Sequence, residues 1–171
     1  WVYYKARDLN KAIEAAENVL QNDPNYNAMA DLYRVLGYSY IGLGDYNSAE
    51  HMLAQSLQND ADSDKQQYVK YELGKLYFMQ GNYDSAYPYF NDIFNFFKKS
   101  DIDYLHSTMF YLGFIFYYLN NIKNARDLFN QILADKPKED YLAAAYYGIA
   151  YIEYHEKNYI NVIALCEKIL N

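Results

Sequence analysis

Apolar positions in this chain recur with the period of an α-helix, and the helical pattern is itself repeated. Ala12, Ala49, Ala86, Ala125 and Val162 stand 37, 37, 39 and 37 residues apart. Three residues before each comes Leu9, Tyr46, Tyr83, Ile122 or Tyr159. Four after comes Ala16, Leu53, Phe90, Phe129 or Cys166, and seven after comes Val19, Ser56, Ile93, Ile132 or Ile169. Offsets of three, four and seven place these residues on one face of a helix. A fixed period of about 20 to 50 residues marks a solenoid, whose units bury their apolar faces only by stacking on neighbours.

Each unit divides into two helices. The second holds the alanine pattern and begins after Gly44-Asp45, Gly81-Asn82, Asn120-Asn121 or Lys157-Asn158, where Gly or Asn permits a tight turn and Asp or Asn can cap the next helix. The first carries Leu36-Gly37, Leu73-Gly74, Leu112-Gly113 or Ile149-Ala150. A small residue inside an apolar helix costs up to about 1 kcal/mol in propensity, and its return is the close approach of a neighbouring helix. The pattern predicts a partial helix at 1–6 and helices near 8–21, 27–42, 46–58, 65–80, 83–98, 102–119, 122–134, 138–156 and 159–170. Asp23-Pro24 and Lys136-Pro137 supply stops, and Ser100-Asp101-Ile102-Asp103 reads as a capping box with Asp for Glu. Pro88 falls inside a predicted helix, where it removes a hydrogen bond and should bend the helix.

Leu36-Gly37-Tyr38-Ser39-Tyr40 with Gly44-Asp45-Tyr46 and Ala49, and Leu73-Gly74-Lys75-Leu76-Tyr77 with Gly81-Asn82-Tyr83 and Ala86, resemble tetratricopeptide (TPR) repeats. Leu112-Gly113 through Phe116, Ala125, Phe129 and Pro137 form a third match. A looser one has Ala150 for the glycine, Glu153 for the following aromatic and Val162 for the alanine. The resemblance implies an all-α fold, an α-α superhelix of about four and a half stacked antiparallel helix pairs. One solenoid domain over 1–171 would hold repeats at roughly 1–25, 30–62, 67–100, 106–137 and 142–171. The family's usual repeat is 34 residues, and longer periods like this one are similar to bacterial envelope-assembly members.

Composition narrows the function. Lys and Arg number 15 against 22 Asp and Glu, for a formal charge of −7. No run of cations exceeds the pair Lys98-Lys99, so nucleic acid and anionic membrane surfaces are unfavoured partners. The single cysteine, Cys166, excludes an internal disulfide and lies on the apolar stripe of the last helix, where it reads as a packed core thiol. No apolar run of membrane-spanning length and no signal peptide is visible. The chain opens at Trp1, inside the repeat pattern, and reads as a fragment of a longer protein. Its compartment stays open between the cytoplasm and a bacterial periplasm or envelope.

The 23 tyrosines divide into two groups. Tyr33, Tyr40, Tyr46, Tyr77, Tyr83 and Tyr159 fall at packing positions of the repeat. A second group follows a stripe along the first helices: Trp1 and Tyr4; Arg34, Tyr38 and Ile41; Tyr71, Lys75 and Phe78; Phe110, Phe114 and Tyr117; Tyr147, Tyr151 and Tyr154. Aromatics fill 11 of these 14 positions. In TPR proteins the first helices line a concave groove that holds a peptide or helix, so the resemblance makes this stripe, with all its members except Trp1 and Ile41 as site residues, the expected partner-binding groove. A row of exposed rings also marks an interaction surface in its own right. With only Arg34 and Lys75 as cations, a clamp for a C-terminal carboxylate is disfavoured. The expected partner is a protein or peptide with an apolar, aromatic or proline-rich segment, and Arg34 and Lys75 would orient an acidic group on it.

No catalytic, cofactor or metal site emerges. Asp60-Ala61-Asp62-Ser63-Asp64 opens like a calcium loop, but Lys65 stands where the sharp turn needs glycine and Tyr71 where the bidentate Glu belongs. His51, His106 and His155 lie in different repeats and read as surface residues. The expected role is a non-enzymatic scaffold, in assembly of a larger complex of the bacterial envelope type. The alternatives are a self-associating structural segment, a homo-oligomer, or a regulatory module of a larger protein.

Overall fold

A computed structural model describes residues 1–23, 25–97, 102–135 and 137–170. Among these are ten helices: α1 (Val2–Lys5), α2 (Leu9–Asn22), α3 (Met29–Leu43), α4 (Tyr46–Asn59), α5 (Ser63–Met79), α6 (Tyr83–Phe97), α7 (Ile102–Tyr118), α8 (Ile122–Ala134), α9 (Glu139–His155) and α10 (Tyr159–Leu170). The order matches the helices expected from the pattern to within two residues at each end, and the chain is all-α. α6 continues through Pro88 to Phe97. The stops at Pro24 and Lys136 and the capping box at Ser100-Asp101 fall outside the described residues.

The same turn links the helices of every pair. Five residues before each repeat alanine, or before Val162, stands a residue with left-handed backbone: Arg7, Gly44, Gly81, Asn120 and Lys157, with φ of 59°, 79°, 73°, 61° and 65°. Such backbone suits glycine and is strained for other residues. The residue that follows caps the next helix. Asp8, Asp45, Asn82 and Asn121 accept hydrogen bonds from the backbone N–H groups of Lys11, Ser48, Ser85 and Asn124 at 3.1–3.3 Å.

The chain divides into two compact units, Trp1–Leu76 and Tyr77–Asn171. In the first, Ala12, Ala16, Val35 and Leu36 form one core cluster, with Tyr4, Leu20, Leu32, Tyr33 and Tyr40 packed against it, and Ala49, Leu53, Val69 and Leu73 are also buried. Gly37 lets α3 approach α4: a Cβ there would come within 2.5 Å of Leu53 Cδ2. Arg34 is buried and ties α3 to the loop before α5, pairing with Asp31 and, at 2.9 Å, with Asp60. The aspartate-rich loop is thus a structural joint. Asp62 caps α5 by accepting from Asp64 N at 3.0 Å and Lys65 N at 3.3 Å.

In the second unit Leu105, Met109, Phe114, Ala125, Phe129, Ile132, Ala145, Ile149 and Ile152 form one core cluster, and Phe90, Ile93 and Ile115 are also fully buried. Phe129 of α8 is fully buried between two glycines. A Cβ on Gly113 of α7 would lie 2.6 Å from its ring, and one on Gly148 of α9 would lie 2.4 Å away. Gly113 carries the close approach expected of the Leu-Gly pair. Gly148 supplies the matching approach from the following repeat.

Candidate functional site

The stripe expected along the first helices is described unit by unit. In the first unit, Trp1, Tyr4 and Tyr38 meet with ring centroids 5.7–6.3 Å apart. Tyr71 is buried, and Lys75 lies over its ring at 5.4 Å while pairing with Glu72 at 2.9 Å. With Arg34 taken by Asp31 and Asp60, both cations of the stripe are neutralised inside this unit.

In the second unit the stripe becomes a connected ring surface on α7 and α9. Phe114 is its base, 5% exposed, packed edge-on against Phe129 at 5.3 Å. Phe110, Tyr147 and Tyr151 lie 5.0, 5.8 and 5.5 Å from Phe114. Tyr117 meets Tyr151 at 5.1 Å, and Tyr151 meets His155 at 4.8 Å. The outer rings stand in water: Tyr118, Tyr147 and Tyr154 are 42%, 51% and 57% exposed. Tyr118 and Tyr147 rest against Phe114 at 6.4 and 5.8 Å, while Tyr154 meets His155 at 5.4 Å and Tyr159 at 5.9 Å at the end of α9.

Tyr118 is a member the stripe spacing missed, because it sits one residue beyond Tyr117. Its ring stacks on Tyr83 at 4.2 Å and 5°, and its hydroxyl lies 3.4 Å from that of Tyr151. That hydrogen bond, followed by burial, pushes the Tyr151 phenol above its ordinary value. Burial, and then the neighbouring Tyr151, does the same to Tyr117. Phe78 joins from the end of α5, 5.5 Å from Tyr83 and 6.5 Å from Tyr118.

Three expectations are corrected. His106 is buried, not on the surface. It faces Tyr141 at 5.5 Å, with Nε2 3.4 Å from Asp135 Oδ2, because the start of α7 packs under that of α9. Cys166 is exposed and not a core thiol. Tyr159 is 54% exposed and not packed. Both sit on α10 at positions that the next repeat covers elsewhere: Phe129 lies against Gly148, and Leu9 against Gly42. Among the described residues nothing follows α10 to do the same. No group of three or more His, Cys, Asp or Glu among them could hold a metal ion. No helix among them is long and apolar enough to cross a membrane.

Stacked helix pairs with a recurrent small residue at the contact and a ring surface on the first helices define a helical repeat protein. A tetratricopeptide repeat profile matches residues 3–70, and a second matches residues 68–100 and 107–138. The chain belongs to the tetratricopeptide repeat proteins. The crystal structure of MamA is similar at 20% identity and a TM-score of 0.74, covering 98% of this chain and 90% of that one. The nearly identical TPR-like repeats of a putative kinesin light chain from Podosopora anserina are similar at 14% identity and a TM-score of 0.76, covering 98% and 88%. BtubC from P. vanneervenii is similar at 18% identity and a TM-score of 0.70, covering 96% and 70%. At these identities the likeness is one of fold. No curated protein matches the chain by sequence. TPR folds are typically non-catalytic scaffolds for protein interaction, and family membership supports that general role here.

Proposed function

We propose that this chain holds a segment of a partner protein on the ring surface of α7 and α9, as a scaffold in the assembly of a larger complex. The observation that carries the reading is the exposure of Tyr118 and Tyr147 against a buried base at Phe114, with Tyr154 exposed further along α9. Contiguous exposed rings with few rotatable bonds are costly to leave in water and well suited to contact a partner. Each phenol adds one hydroxyl to orient a partner with apolar, aromatic or proline-rich character. In the first unit, Tyr4 and Tyr38 with Trp1 form a smaller surface of the same kind.

The test is Tyr147→Ala with Tyr154→Ala in the whole chain, read by partner capture alongside circular dichroism. Both residues are more than half exposed, so helicity and melting should hold while capture falls. Capture unchanged in a folded double variant rejects the site.

A second reading, association of the chain with itself, draws on α10, where Ile160, Ile163 and Leu170 are 86%, 62% and 85% exposed. Sedimentation mass that rises with concentration and is abolished by Ile160→Ser with Ile163→Ser would favour it.

A further inference from the structure

The second unit sorts its charges by helix. None of the lysines and arginines in residues 77–171 falls on α7 or α9. Those helices carry acids instead. Seven residues before the first ring of each stripe stands Asp103 ahead of Phe110 and Asp140 ahead of Tyr147, and Asp64 holds the same place ahead of Tyr71 on α5. Seven residues is two helical turns, so each acid shares the face of its rings. Asp103 is met by Lys138. Asp140 is exposed in the first turn of α9. The two cations expected to orient an acidic partner, Arg34 and Lys75, are held within the first unit. What α9 offers a partner is therefore a row of rings, Tyr147 and Tyr154 more than half exposed and Tyr151 half-buried between them, with the Asp140 carboxylate two turns ahead. The face of such a ring is negative above its centre.

We propose that the segment held here is basic: a stretch of partner protein whose arginines lie over Tyr147, Tyr151 and Tyr154 and reach Asp140. A guanidinium stacks on aromatic faces while its aliphatic stem covers apolar surface. The span from Asp140 to Tyr154 is about 21 Å along a helix axis, which about seven residues of extended chain cover. A net charge of −7 also speeds the approach of a basic partner over an acidic one. The inference rests on the reading of α7 and α9 as a partner-binding surface.

Three fluorescein-labelled peptides of about twelve residues test it on the whole chain by anisotropy. They share leucine, proline and tyrosine positions and carry arginine, glutamine or glutamate at the remaining ones. The arginine peptide should bind at least about tenfold tighter than the glutamine peptide and weaken as salt is raised. It should lose most of its affinity to the Tyr147→Ala/Tyr154→Ala variant, whose net charge is unchanged. Asp140→Asn should weaken it about threefold and weaken the glutamine peptide by less. Arginine-peptide binding that survives removal of the two tyrosines is unspecific attraction to an acidic chain and overturns the proposal. Equal or tighter binding of the glutamine or glutamate peptide, lost in the same variant, overturns the basic partner and leaves the site standing. Binding by none of the three removes the site as well.

Discussion

Arg126 of α8 and Glu153 of α9 form an ion pair in the register that Tyr87 and Phe116 fill one repeat earlier with rings 5.6 Å apart. Tyr87 and Arg126 each follow a repeat alanine by one residue, and Phe116 and Glu153 each precede Ala125 or Val162 by nine. Glu153 is buried, accepts from Asn161 Nδ2 at 2.9 Å, and shares Arg126 with Glu156 at 2.8 Å. Hydrogen bonds from Asn161 and Arg126 outweigh burial and hold its carboxyl below the ordinary value of 4.5. A carboxyl lowered in the folded state stabilises the fold above its unfolded pKa, and that contribution is lost as pH falls through the folded value. Glu153→Gln should therefore lower stability at neutral pH by about 1–3 kcal/mol and flatten the acid limb of a melting-temperature profile. An acid limb as steep as that of the wild type would show that Glu153 has no part in it.

The exchange of a ring pair for an ion pair predicts its own reversal. Arg126→Tyr with Glu153→Phe should restore the earlier repeat's contact and cost less than either single change, since replacing both partners spares the buried Glu153 side of the pair an unmatched charge. A double-mutant cycle by urea unfolding measures the coupling. Additive losses would mean that the two registers are not equivalent.

Phe129 has room for nothing more on either side. Gly148→Ala brings a methyl within 2.4 Å of its ring, and overpacking of this kind costs about 1–3 kcal/mol. Adding Phe129→Leu to Gly148→Ala should recover part of the loss, because the atoms nearest the new methyl are the outer ring carbons that leucine lacks. Denaturant midpoints for the single and double variants decide it.

Most of the fold was legible because it rests on local rules repeated five times. The alanine register, the turn glycines and the caps each appear in the sequence at fixed offsets. Tyr159 and Cys166 misled for a reason sequence spacing does not carry: their equivalents Leu9 and Phe129 are covered by Gly42 and Gly148 of the following helix pair, a contact between repeats that register within one repeat does not specify. Arg34 misled because Asp60 reaches it across 26 residues, which no helical period foresees. Tyr118 escaped because the stripe spacing stops at Tyr117, although stacking on Tyr83 draws its neighbour into the same surface.

Within the stripe, burial separates rings that hold the fold from rings that face outward. Phe114→Ala should cost about 3–5 kcal/mol as a core truncation. Tyr154→Ala, at a site 57% exposed, should stay within about 0.5 kcal/mol. Urea unfolding followed by circular dichroism compares them. Similar losses at both would place Tyr154 in the core and remove it from any partner surface.

Alkaline pH should loosen the ring surface first. Tyr151 is raised by its hydrogen bond to Tyr118 and by burial, and Tyr117 by burial and Tyr151, from an ordinary value of 10.0. A phenol raised in the folded state adds stability that is fully present below the unfolded pKa and is lost as pH rises through the folded one. The melting temperature should therefore fall above about pH 10. Tyr151→Phe keeps the ring contacts with Phe114 and Tyr117 but removes the ionising hydroxyl. Its alkaline limb should be shallower, while its stability at pH 7 drops by no more than the loss of one exposed hydrogen bond, about 0.5–1.5 kcal/mol. Ultraviolet titration of the phenolates, followed alongside melting, ties the two events together. A wild-type limb that begins only after every tyrosine has ionised would break that link.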